Sequence, residues 1–112
     1  MLRLNLAILV KADSRRQYAL LFVGKNDEAI AWVDSMVALA PDDKGVYYEK
    51  ACVLSLMGRT TEAIDALKTA FEKGYRDFNR VANNRDLDAI KSLPAYTKLI
   101  EEYKQKQVLT PS

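Results

Sequence analysis

Apolar side chains recur with a helical period in two stretches of the chain that lie 34 residues apart. The first set consists of Ala29, Ile30, Val33, Met36 and Val37, and the second of Ala63, Ile64, Leu67, Ala70 and Phe71. This spacing places each set on one face of an α-helix. The two stretches therefore predict two helices that bury the same face in the same register.

A glycine precedes each of these helices, at Gly24 and at Gly58. Glycine readily adopts the left-handed conformation that ends a helix. Asn26 and Thr60 follow the glycines and are the expected N-caps of the next helices. The same tight turn between two helices is therefore predicted twice.

Another apolar stretch lies before each glycine, over residues 18–23 and 46–57. Ser14 and Gln17 have the spacing of a capping box for the earlier stretch, and the later one follows Pro41, Asp42 and Asp43, a turn with a capping acid. Each unit is thus predicted to consist of two helices joined by a turn. The pattern predicts an all-α fold of antiparallel helix pairs.

The 34-residue period fails after residue 77. The remaining sequence predicts a loop or helical turn over 78–82, a short helix over 86–92 and a final helix over 94–107, because proline is tolerated in a first helical turn. The expected apolar face of the final helix consists of Leu99, Ile100 and Tyr103. This segment is predicted to cap the stack, since terminal units of a helical array must differ from the internal ones.

The first residues allow more than one interpretation. Apolar side chains alternate from Leu2 to Val10, which fits a strand, although a helix leading toward Val23 is favoured. Residues 1–12 also resemble a very short secretory leader, but Lys11 interrupts the apolar segment and no small-residue cleavage site follows. The expected location is therefore the cytoplasm, or outside it if residues 1–12 are a leader.

The repeated unit resembles the tetratricopeptide repeat (TPR). The positions that carry the resemblance are Gly24, Ala29, Met36 and Pro41 in the first unit, and Ala51, Gly58, Ala63 and Ala70 in the second. The sequence departs from the family pattern at Gln17, Tyr47 and Tyr75. The ending resembles the degenerate cap that often closes such repeats in bacterial proteins.

The resemblance implies a single domain built as a short right-handed superhelix of stacked helix pairs. Its expected parts are an N-terminal element (1–9), repeat 1 (10–43), repeat 2 (44–77), a degenerate repeat or cap (78–107) and a tail (108–112). In such arrays the first helix of each pair lines a concave groove. The residues expected there, or at its edge, are Lys11, Ser14, Arg15, Tyr18, Leu21, Tyr48, Glu49, Cys52 and Ser55.

Composition narrows the classes of function. The chain has 112 residues, 49% hydrophobic and 29% charged, with a net charge of +2. A charge this small, without a run of Lys and Arg, argues against nucleic-acid binding. No apolar run approaches the roughly 20 residues that a membrane span requires.

The sequence offers little catalytic chemistry. It contains no histidine and a single cysteine, Cys52, which has no candidate metal partner. Cys52 lies among apolar residues and is expected to be a packing residue rather than a reactive thiol. No phosphate-binding glycine motif is present. We therefore expect no catalytic, metal or cofactor site, and the chain is not expected to be an enzyme.

The expected function is protein–protein interaction through the groove, with a peptide or protein partner. The family's clamp for acidic C-terminal tails is not matched, because its cationic and amide positions hold other residues here. Those positions are Ser14, Tyr18, Glu49, Asn79 and Asn83. The alternative is a structural role, either as a homodimer or as a docking segment of a larger multidomain protein, such as a bacterial enzyme.

Overall fold

The computed structural model describes residues 16–109, and every regular element in that part of the chain is helical. The elements are α1 (Arg16–Phe22), α2 (Asn26–Leu39), α3 (Lys44–Leu56), α4 (Thr60–Glu72), α5 (Phe78–Asn83), a 3-10 turn (Arg85–Leu87), α6 (Asp88–Lys91) and α7 (Pro94–Leu109). The all-α prediction is confirmed. The predicted N-terminal element 1–9, and its helix or strand alternatives, lie outside the described residues.

The turns after α1 and α3 have the same backbone geometry. Gly24 and Gly58 have φ angles of +82° and +78°, which are unfavourable for any residue with a Cβ atom. The N–H of the residue after each glycine donates to a carbonyl of the preceding helix, from Lys25 to Leu20 at 2.8 Å and from Arg59 to Leu54 at 2.9 Å. This is the Schellman motif, so the predicted hinges are confirmed.

The predicted caps at Asn26 and Thr60 are wrong, because both residues already lie inside the next helix. The N-cap positions belong to Lys25 and Arg59, and neither side chain makes a capping hydrogen bond. The reason is the tightness of the turn, in which the last residue of the Schellman motif is also the N-cap. By contrast, the capping acid predicted in the turn before α3 is confirmed, and it is Asp43, which accepts a hydrogen bond from the Gly45 N–H at 2.8 Å.

The repeated apolar faces form the core between the helices. Ala29 and Val33 of α2 pack with Val53 of α3, while Leu67 and Phe71 of α4 belong to the largest cluster, and all five are fully buried. The predicted faces of α2 and α4 are therefore confirmed. Helices α3 and α4 form the most extensive contact between elements.

The cap packs on α4 through aromatic contacts. The Phe71 ring centre lies 5.4 Å from that of Phe78 and 5.3 Å from that of Tyr103. Leu99 and Tyr103 of α7 are buried, as predicted, and Ile100 is partly buried. The final helix extends to Leu109, two residues beyond its predicted end, so the predicted tail begins inside it.

Candidate functional site on the first helix of each pair

The predicted contact residues fall into three groups. Lys11, Ser14 and Arg15 lie outside the described residues. Tyr18 and Leu21 lie on α1, and both are half-buried. The remaining four, which are Tyr48, Glu49, Cys52 and Ser55, lie on α3.

Three of the α3 residues do not face an open groove. The exposed fractions of Tyr48, Cys52 and Ser55 are 2%, 0% and 1%. The cap covers this face, because the 3-10 turn and α6 pack against α3. These three predicted groove residues are therefore buried, and a partner would reach them only if the cap moved away.

Asn84 holds the cap onto this face of α3. Its side-chain Nδ2 donates a hydrogen bond to the Tyr48 hydroxyl at 2.7 Å and lies 3.5 Å from Cys52 Sγ. Its side-chain oxygen Oδ1 accepts a hydrogen bond from the Asp86 N–H at 2.9 Å, which starts the 3-10 turn. The Tyr48 ring also stacks on Tyr75, with ring centres 4.6 Å apart. Asn84 thus ties the 3-10 turn to two of the side chains that the family resemblance assigned to the groove.

Glu49 joins the two first helices. Its carboxylate oxygen Oε2 accepts hydrogen bonds from the Tyr18 hydroxyl at 2.5 Å and from Gln17 Nε2 at 3.2 Å. Gln17 is fully buried, whereas Tyr18 and Glu49 are half-buried. The exposed parts of Tyr18 and Glu49 are therefore held in place by hydrogen bonds between the two helices.

The environment of Cys52 keeps its thiol neutral. Burial raises the pKa of Cys52 to about 12, and the negative charges of Glu49 and Asp86 act in the same direction. Since the thiolate is the nucleophile, a thiol with so high a pKa is unreactive near neutral pH. The packing role predicted for Cys52 agrees with its burial.

Three exposed apolar residues at the two turns were missed by sequence reasoning. We call this set the turn edge, and it consists of Phe22, Val23 and Leu56, whose exposed fractions are 92%, 63% and 48%. Phe22 and Leu56 occupy equivalent positions in the two units, directly before the helix-ending turn. The sequence signal was the presence of an apolar residue at this position in both copies, outside either buried face.

Other kinds of site are not apparent in the described part of the chain. Among residues 16–109, no group of acidic, histidine or cysteine side chains is arranged to hold a metal ion. Within the same residues, no helix combines the length and apolar character that crossing a bilayer requires.

Comparison with known proteins gives a weak and partial similarity. No family model matches the chain, and no solved structure matches it. The chain is 26% identical over 83 residues to a chloroplast protein of Arabidopsis thaliana. The matched region covers 71% of this chain and spans about a quarter (25%) of the length of that curated relative. Similarity at this level does not assign the chain to a family.

Proposed function

We propose that this chain is a non-catalytic, TPR-like interaction module that docks a peptide or protein partner through α1, α3 and the turn edge. The repeat interpretation is supported by local features that the two units share. Both units have the same Schellman turn at a glycine, followed by a helix that buries its face in the same register. Stacked helix pairs of this kind present extended surfaces that suit protein partners.

The observation that carries the proposal is the exposure of Phe22. The Phe22 side chain is 92% exposed, so its apolar area is in contact with water in the free protein. Covering that area with a partner would stabilise the complex, since removal of apolar surface from water is favourable. Val23, the next residue in the chain, adds further exposed apolar area, and so does Leu56 at the turn of the second unit. Exposed apolar patches of this kind mark interaction sites, in which aromatic side chains are common energetic anchors.

The half-buried residues of α1 and α3 add specificity to this surface. Leu21 offers apolar area, and Glu49 offers a carboxylate whose position is fixed by Tyr18. A fixed carboxylate favours a partner with a neutral or basic segment and disfavours an acidic one. Tyr48, Cys52 and Ser55 are not included as contacts, because they are buried. The proposed location of the protein is the cytoplasm.

The test compares partner capture by the protein and by a double variant, Phe22→Ser with Val23→Ser. Captured proteins are quantified by mass spectrometry from the native cell extract, and circular dichroism verifies that the variant keeps its helix content. The matched control is Leu39→Ser, which changes a large apolar residue that is 40% exposed at the end of α2. Loss of specific partners with the double variant alone supports the proposal. Equal capture by all three proteins would contradict it.

A structural role is the second candidate, and the same exposed edge favours it. Phe22 and Val23 of one copy would lie against the same residues of another, as in an isologous interface. The match to about a quarter (25%) of a longer protein also supports a docking segment within a multidomain chain. Size-exclusion chromatography with light scattering tests self-association, because a strictly monomeric protein at high concentration would exclude it.

A further inference from the structure

A pocket of about 500 Å³ lies in the cap, between the start of α5 and the second half of α7. Its lining residues are Arg76, Asp77, Phe78, Asn79, Lys104 and Gln107. The pocket is built by residues after position 75 and contains none of the contact residues of α1, α3 or the turn edge. Whether it binds a ligand is therefore independent of the proposed function.

The Arg76 guanidinium is fixed at one side of this pocket. Its Nη1 donates hydrogen bonds to the carbonyl oxygens of Phe71 at 2.7 Å and Tyr75 at 2.8 Å. Its central carbon lies 5.3 Å from the centre of the Tyr103 ring. Within residues 16–109, no carboxylate forms an ion pair with this cation. A guanidinium has five donors, so Arg76 keeps capacity for an anionic ligand.

Lys104 provides the second cation. Its side chain is exposed, and its ammonium lies 5.9 Å from the centre of the Phe78 ring. The described residues include no ion-pair partner for Lys104. Each cation therefore lies against a different aromatic ring, Arg76 against Tyr103 and Lys104 against Phe78. Phe78 also lines the pocket, which thus has both an apolar and a positively charged part.

Among residues 16–109, Asp77 is the only acidic residue that lines the pocket, and it already has a structural role. It is the N-cap of α5, where Oδ1 accepts a hydrogen bond from the Arg80 N–H at 3.1 Å. One acid against two cations leaves the lining with a net positive charge. The amide side chains of Asn79 and Gln107 add donors and acceptors that suit a peptide backbone.

We propose that this pocket binds the side-chain carboxylate of a glutamate or aspartate in an extended segment of a partner polypeptide. The carboxylate lies between Arg76 and Lys104, because charge-assisted hydrogen bonds to ionised donors are the strong ones. An apolar neighbour in the same segment packs on Phe78. The charge preference is opposite to that of the α1 and α3 surface, where Glu49 disfavours acidic ligands.

The first experiment is an NMR titration of ¹⁵N-labelled protein with the peptide Gly-Leu-Glu-Leu-Gly, acetylated and amidated so that its only charge is the glutamate. We expect amide shifts concentrated at Asn79, Lys104 and Gln107, with binding weakened by added salt. The same peptide with glutamine in place of glutamate should bind at least about tenfold more weakly. Equal binding of the two peptides, or no shift at these amides at millimolar peptide, would overturn the proposal.

The second experiment reverses one charge of the pocket. Lys104→Glu should weaken binding of the glutamate peptide by about tenfold or more and favour a lysine peptide of the same design. The control is Lys98→Glu, which makes the same charge change at an exposed position of α7 outside the pocket. It should change binding by no more than about twofold, because exposed charges are screened by solvent and salt. If both variants weaken binding equally, the attraction is due to overall charge and the proposed pocket is wrong.

Discussion

The two helix pairs share their turn but differ in how far their first helices are buried. Helix α3 buries every residue from Ala51 to Ser55, whereas Gln17 is the only buried residue of α1. At equivalent positions before the turn, Phe22 is 92% exposed and Leu56 is 48% exposed. The turns themselves agree closely, with φ angles of +82° at Gly24 and +78° at Gly58.

The difference follows from the number of neighbours. Helix α3 contacts α1, α2, α4, the 3-10 turn and α6, whereas the contacts of α1 within the described residues are mainly with α2 and α3. In a stack of helix pairs, each pair buries its faces only against adjacent units. The repeat register therefore determines the turn and the buried face of the second helix, while position in the stack determines the burial of the first helix.

The largest contrast is expected between Phe71 and Val37, which occupy equivalent positions in α4 and α2. Phe71 is fully buried against rings of the cap, so Phe71→Ala should lower the free energy of unfolding by about 3–5 kcal/mol. Val37 is only half-buried, and Val37→Ala should cost about 1 kcal/mol. Urea unfolding measures both. Equal losses would show that the cap adds no burial to the second pair.

The next contrast concerns pH and Cys52, whose equivalent in the first pair is Tyr18. The pKa of Cys52 is raised from 9.0 to about 12 mainly by burial. The unfolded chain therefore loses its thiol proton at lower pH than the folded chain. Between about pH 9 and pH 12, this group should lower the free energy of unfolding by on the order of 1 kcal/mol per pH unit.

Cys52→Ala isolates this contribution. In the variant, the loss of stability over the same pH range should be less steep than in the wild-type protein, and the remaining slope should come from buried tyrosines such as Tyr48, whose pKa burial also raises. Chemical unfolding at a series of pH values measures the two slopes. Parallel curves would show that the thiol ionises as readily in the folded chain as in the unfolded one.

Much of the fold could be predicted from the sequence, because its strongest signals are local. Helical periodicity identified the buried faces of α2 and α4, and the isolated glycines identified the Schellman turns. Pro94 and the apolar residues after it located α7 correctly. The N-caps at Asn26 and Thr60 were predicted wrongly. One residue serves both as the last position of the Schellman turn and as the N-cap of the next helix, and residue types alone do not reveal that the turn is one residue shorter than expected.

The surface could be predicted less well, because exposure depends on contacts between distant residues. The family resemblance assigns Tyr48 and Cys52 to the groove, yet Asn84 of the cap donates a hydrogen bond to the Tyr48 hydroxyl and lies close to Cys52. Nothing in the spacing around Asn84 indicates that contact. Conversely, Phe22 resembles any apolar helix residue in the sequence, and only the absence of a described neighbour beside it reveals the exposed edge.

The glycine turns provide a comparison in which the two pairs should behave alike. A Cβ atom added at Gly24 or at Gly58 meets no atom within 4 Å, so an alanine there suffers only backbone strain. Gly24→Ala and Gly58→Ala should each lower the free energy of unfolding by about 1–2 kcal/mol. Asparagine, which tolerates this conformation better, should cost less at both sites. Chemical unfolding of the four variants measures these costs, and a much smaller cost at Gly24 would indicate that the first pair adds little to global stability.

The smallest effect on stability is expected at Phe22, where the two pairs should differ again. With 92% of its surface exposed, Phe22 has little folded-state packing to lose, so Phe22→Ala should change the free energy of unfolding by no more than about 0.5 kcal/mol. Leu56→Ala, at the half-exposed equivalent position, should cost about 1 kcal/mol. Thermal unfolding of the two variants measures the difference. A cost at Phe22 larger than at Leu56 would mean that the ring is covered in solution, and the turn edge would then be part of the core rather than a surface available to a partner.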